Sequence, residues 1–131
     1  MREIKLRVFD NERKENFYVS EINFEDKTLR LSNGAITFWR AFEEVELMQY
    51  TGLKDKNGKD IYEGDIVKFD TTKIGGREGI GVVEWCDDLS IVGHPGWILS
   101  CPSIAYQMEF VGCEIIGNIY QNPELLEIKN D

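Results

Sequence analysis

The run Gln49-Tyr-Thr-Gly-Leu-Lys-Asp-Lys-Asn-Gly-Lys-Asp-Ile-Tyr-Glu-Gly-Asp-Ile-Val67 constrains the fold of this chain more than any other segment, because it spells strand, tight reversal and strand without interruption. Tyr50, Thr51 and Leu53 precede the reversal and Ile61 and Tyr62 follow it. Between them, Asn57-Gly58 is the strongest short hairpin signal a sequence can carry. Such a dipeptide predicts a type I′ turn, with positive φ at both central residues. No residue in the run is an obvious catalyst, so the segment speaks for architecture before activity.

Short strands and reversals account for most of the remaining chain. Ile4, Leu6 and Val8 alternate with Lys5 and Arg7, the period of a half-buried strand. Asn11-Glu-Arg-Lys14 then reads as a turn, Phe17-Tyr-Val19 and Ile22-Asn-Phe24 as two short strands, Glu25-Asp-Lys27 as a turn and Thr28-Leu-Arg-Leu31 as a strand. Ser32-Asn-Gly34 supplies another reversal before Ile36-Thr-Phe-Trp39. The residues from Phe42 to Met48 fit helical and strand periods equally, which a helical turn leading into a strand satisfies.

Downstream, Glu63-Gly-Asp65 is a turn feeding a buried strand, Ile66-Val-Lys-Phe69. Ile80-Gly-Val-Val-Glu-Trp85 places Val83 and Trp85 on one face, and Gly96 to Ser100 and Cys113 to Tyr120 add two further strands. Asn122 followed by Pro123 and Glu124 reads as an N-cap with a first-turn proline, so a short C-terminal helix is expected. The sum is an all-β chain: a small barrel or strongly bent antiparallel sheet, SH3-like in part through the strand pair around Val67 and Val83, forming one domain over residues 1–131.

Composition narrows the function classes. Hydrophobic residues make up 42% of the 131, in runs of only a few, so neither a transmembrane helix nor a secretory h-region is read. Cys86, Cys101 and Cys113 are odd in number and widely spaced, which suits reduced thiols in a cytoplasm better than a disulfide framework. The net charge is −9, with only Lys129 as a basic residue after position 81, and such a surface disfavours non-specific nucleic-acid binding.

The candidate sites are few. Lys54, Lys56 and Lys59 cluster at the hairpin but alternate with Asp55 and Asp60, as a solvated turn would. Asp55, Asn57, Gly58, Asp60 and Glu63 resemble a calcium loop in residue type, yet the sixth and twelfth positions counted from Asp55 are Asp60 and Ile66, where an EF-hand needs glycine and glutamate. Cys86 and His94 supply nucleophile and base types, but Glu84, Asp87 and Asp88 around the thiol favour its neutral form. Without a CxxC pair, zinc ligation is not read either, and no cofactor motif is present. Trp39, Trp85, Tyr50, Tyr62 and Tyr120 are expected in the core, with Trp97 and Tyr106 as the aromatics most exposed to a partner.

The Gln49–Val67 run resembles the signature block of the YopX family of phage and prophage proteins, and two more segments share that resemblance. These are the opening Met1-Arg-Glu-Ile-Lys-Leu-Arg-Val-Phe-Asp10 and the closing Glu114-Ile-Ile-Gly-Asn-Ile-Tyr-Gln-Asn-Pro-Glu-Leu-Leu126, in the family's order; Ile91 to Val111 matches none of its motifs. The resemblance implies a small, β-rich, barrel-like protein encoded by a phage or prophage and working in the bacterial host cytoplasm. The family has no established activity, so it transfers no catalytic residues. The leading expectation is a non-enzymatic module that binds a host or phage protein, with Lys54, Lys56, Lys59, Trp97 and Tyr106 as candidate contacts. The alternative is a nucleic-acid-binding β-barrel. Self-association is left open, and neither membrane nor cofactor is expected.

Overall fold

The computed structural model describes residues 4–70, 72, 75, 78–86, 96–101, 104–107 and 112–127, and the side chains of 101, 104–107 and 127 lie outside that description. The chain forms two compact units, Met1–Tyr50 and Thr51–Asp131.

In the first unit, β1 (Leu6–Asp10), β2 (Glu15–Asn23), β3 (Thr28–Ser32), β4 (Thr37–Ala41) and the opening of β5 (Val45–Lys54) form an antiparallel sheet in the order β4-β3-β2-β1-β5. A single 3₁₀ turn, Phe42–Glu44, leads into β5 and accounts for the mixed periodicity of that stretch. The two short strands expected around Tyr18 and Asn23 are one strand, with a bulge between Val19 and Glu21. Val19 and Ile22 are three residues apart and would face opposite ways on a regular strand. The extra residue turns both toward the core side, opposite Leu31 and Leu29. They pack with Phe38 against buried Val8, Phe17, Leu29, Leu31 and Val45. Ile4, expected to share that face, is exposed, because β1 begins only at Leu6.

A buried carboxylate with its arginine partner lies in this core. Fully buried Asp10 accepts from Arg40 Nε at 3.2 Å and from the Glu12 N–H at 3.3 Å. The hydrogen bond to Asp10 raises Arg40 above the ordinary arginine range. The Arg40 guanidinium also lies 4.9 Å from the Phe38 ring centroid, and Phe38 meets Phe17 edge-on at 4.9 Å. A buried carboxylate is tolerable only when paired in this way.

In the second unit, the end of β5 pairs with β6 (Asp60–Tyr62). β7 (Asp65–Asp70), β8 (Glu78–Cys86), β9 (Gly96–Cys101), β10 (Ile104–Gln107) and β11 (Cys113–Asn118) form a five-stranded antiparallel sheet in the order β10-β9-β8-β7-β11. The β7–β8 pairing anticipated from sequence is present, with Ile66 opposite Val82. Ile61, Val67, Phe69, Val83, Leu99 and Cys113 make the core, and Leu53, Trp97 and Ile115 pack against it. A barrel requires its first and last strands to pair. Among the described residues β10 pairs with β9 and β11 with β7, so the architecture is open antiparallel sheet rather than closed barrel.

Trp85 departs from its expected burial. It shares a face with Val83, but Val83 is 0% exposed and Trp85 is 48% exposed. The pair Val83–Leu99 lies over the core, whereas Trp85–Trp97 stands two residue pairs nearer the end of the β8–β9 ladder. Face alternation predicts direction, and distance along the strand decides burial.

The helix α1 (Glu124–Glu127) ends the described chain as expected, although Asn122 does not cap it by its side chain. The Leu125 N–H donates to the Asn122 main-chain carbonyl at 3.1 Å, while Asn122 Oδ1 accepts the Asn118 N–H at 3.2 Å. That back-turned carboxamide explains Gly117: a Cβ there would stand 2.5 Å from Asn122 Oδ1.

Candidate interaction surface

The lysine hairpin is organised by one acid. Asp55 is buried, and its Oδ1 accepts the N–H groups of Asn57 at 2.8 Å and Lys59 at 2.9 Å. Its Oδ2 accepts the Ile115 N–H at 3.1 Å. The Gly58 N–H donates to the Asp55 carbonyl at 3.0 Å, and the Asp55 N–H donates to the Lys59 carbonyl at 2.8 Å. Only Gly58 of the two central candidates has positive φ, at 82°. The predicted type I′ turn is therefore replaced by a type I turn over Asp55 to Gly58, with Gly58 left-handed at the bulge that follows. The aspartate at the first turn position selects this geometry, since its carboxylate gathers the turn's own N–H groups.

The hairpin is fastened to β11. The Lys56 N–H donates to the Cys113 carbonyl at 2.9 Å, and Asn57 Nδ2 donates to Glu114 Oε2 at 3.3 Å. Lys54, Lys56 and Lys59 are exposed, and Lys54 forms an ion pair with Asp60. With Glu114 and Asp60 among them, these lysines stand in mixed charge rather than on a basic face. Asp55, the first residue of the stretch that resembles a calcium loop in residue type but not in spacing, spends its carboxylate on three backbone donors. Among the described residues no group of three His, Cys, Asp or Glu side chains is placed to hold a metal ion.

Burial, and then the nearby charge of Asp55, push the Cys113 thiol up to about 11, so it is a neutral core side chain at physiological pH. Cys86 is half-buried, whereas His94, Asp87 and Asp88 lie outside the described residues. Trp97 is half-buried and meets Trp85 edge-on at 5.2 Å. Tyr106 lies on β10, with its side chain outside the described set. Tyr50 and Tyr62 are buried as expected. Sequence reading missed the exposed aromatics Tyr18, Phe24 and Phe42 of the first unit, and Trp39, expected in the core, is 46% exposed. A signal for Trp39 was available, because it alternates with Phe38 and Arg40, which face the core.

The other polar residues of the Gln49–Val67 run are similarly occupied. Thr51 Oγ1 donates to the Ile61 carbonyl at 2.8 Å, and Asp65 Oδ2 accepts the Tyr62 N–H at 2.8 Å. In the closing segment, Asn118 Oδ1 accepts from the N–H groups of Tyr120 at 3.0 Å and Gln121 at 2.9 Å, and the Ile119 N–H donates to the Gly64 carbonyl at 2.9 Å. The two recognisable blocks are thus turn-forming devices that meet each other. The YopX protein family matches residues 5–127. The chain belongs to the YopX family. Among solved structures, it is similar to protein EF1440 from Enterococcus faecalis, known from a crystal structure, at 25% identity and a TM-score of 0.62. That likeness covers 96% of this chain and 99% of the other. No curated protein matches.

Proposed function

We propose that this YopX-family chain is a phage or prophage accessory protein that acts in the host cytoplasm by binding another protein, without catalysing a reaction. The observation that carries the reading is the fate of the signature block. Asp55, Thr51 and Asp65 are buried and bonded to backbone, so these three polar side chains serve the hairpin rather than a substrate. Large aromatic side chains also stand outward, Tyr18 and Trp39 on the first unit and Trp85 on the second, and such residues supply large contact area at low entropy cost.

A net charge of −9 and the neutralised hairpin lysines weigh against phosphate-backbone binding. The test is paired. Purified protein is titrated against DNA and RNA of mixed sequence in a mobility-shift assay, and used as bait in lysate from the phage host. The expected result is no shift at about 0.15 M salt, with any low-salt shift vanishing steeply as salt rises, and capture of a discrete protein that rebinds in purified form. Tight, sequence-selective nucleic-acid binding that survives near 0.2 M salt would overturn this reading.

A further inference from the structure

The β3–β4 ladder determines which backbone groups of β4 remain available. The Asn33 N–H donates to the Ile36 carbonyl at 3.3 Å, and the Phe42 N–H donates to the Lys27 carbonyl at 2.9 Å. Between these two bonds the register runs unbroken from Ser32–Thr37 to Thr28–Ala41. Bonded and non-bonded pairs alternate in an antiparallel ladder, so Phe38 and Arg40 bond to β3. Thr37, Trp39 and Ala41 therefore direct their N–H and C=O groups away from the sheet. Ala41 agrees with this assignment, since its N–H donates to Glu44 Oε1 at 2.9 Å. Glu44 closes that one group, and among the described residues the edge from Thr37 to Trp39 stays open.

Edge strands are usually blunted by lysine, proline or a bulge. β4, Thr37-Phe-Trp-Arg-Ala41, has none of these. Its one charge, Arg40, is turned into the unit's core against Asp10, and Trp39 on the outer face is half-exposed.

We propose that β4 is a self-association edge, on which a second copy of this chain pairs antiparallel about a two-fold axis through Trp39. The outward residues lie symmetrically about Trp39, so the same strand reversed offers each acceptor a donor. Trp39 exchanges both backbone bonds with Trp39 of the second copy. The Thr37 N–H donates to the Ala41 carbonyl of the second copy, which requires no release of the Ala41 N–H from Glu44. Phe38 then stands beside Arg40 of the second copy, repeating the guanidinium-on-ring contact already made within one chain. No carboxylate lies in the strand to oppose its image, and the pairing is isologous, the commonest symmetry among oligomers. One short edge buries less than the roughly 1,000 Å² of a persistent interface, so the dimer forms with rising concentration and dissociates on dilution.

Sedimentation equilibrium of the full chain tests this. The mass of the wild type should rise from 15.1 kDa toward its double as concentration approaches about 1 mM. Trp39→Lys and Trp39→Glu should each stay monomeric, because each places like charges face to face across the axis, and an equal mixture of the two should dimerise again. Trp39→Pro, which removes the donating N–H without touching the ladder to β3, should also stay monomeric, with an unchanged far-ultraviolet circular dichroism spectrum establishing that it folds. A wild type that remains at 15.1 kDa overturns the proposal. So does a folded Trp39→Lys variant that dimerises like the wild type, or a mixture of the two charged variants that stays monomeric.

Discussion

Asp55 Oδ2 accepts the backbone N–H of Ile115 at 3.1 Å, a bond spanning sixty positions of sequence. The same carboxylate closes the local turn through Asn57 and Lys59, so one side chain both shapes the hairpin and ties it to β11.

Replacing Asp55 with alanine strands three N–H groups and is expected to cost roughly 1–3 kcal/mol. Burial alone would raise the Asp55 pKa, but the N–H groups of Ile115, Lys59 and Asn57 outweigh it and hold it below its ordinary 3.8. A depressed folded pKa means that the carboxylate's contribution is complete above about pH 4 and is lost as pH falls through the folded value. The stability gap between wild type and Asp55→Ala should therefore narrow below pH 4. Urea midpoints measured across the acid range check this, and a gap that is constant with pH would contradict it.

Gly58→Val is expected to lower the denaturant midpoint far more than Asn57→Val or Lys56→Val. Only Gly58 occupies the left-handed region, where a side chain costs about 1–2 kcal/mol and a β-branched one more. Equal losses at Asn57 and Gly58 would instead indicate a type I′ turn.

Leu99→Ala should cost roughly 2–5 kcal/mol as a truncation in a closed core, and Trp85→Ala less than about 2 kcal/mol, because half of that side chain is already in water. Equilibrium unfolding of both variants ranks them. A larger loss at Trp85 would place the indole in the core.

Cys113 should resist alkylation in the native protein at about pH 8, whereas half-buried Cys86 reacts, because the neutral thiol is the poorer nucleophile and burial denies access. Peptide mass mapping after timed iodoacetamide exposure distinguishes the two. Equal native rates would contradict the burial of Cys113.

Element type was largely legible before any coordinates, because it rests on local chemistry. Period-2 alternation marked the strands, Gly and Asn marked the reversals, and the ambiguous stretch after Ala41 is indeed a 3₁₀ turn running into a strand. Family membership was legible too, since the blocks at Gln49–Val67 and Glu114–Leu126 are contiguous. What the sequence could not state were quantities fixed by distant partners. The bulge at Ser20 is decided by the need to bring Val19 and Ile22 onto one face opposite Leu31 and Leu29. Asn122 turned from helix cap to strand partner because Gly117 left room beside it. The burial of Val83 and exposure of Trp85 depend on how far the core reaches along the β8–β9 ladder, and the open edge at β4 depends on which residues β3 bonds. A residue's preferred conformation is a property of its neighbours in the chain and can be read there; its burial and its hydrogen-bond partners are properties of neighbours in space, and only the tertiary structure supplies those.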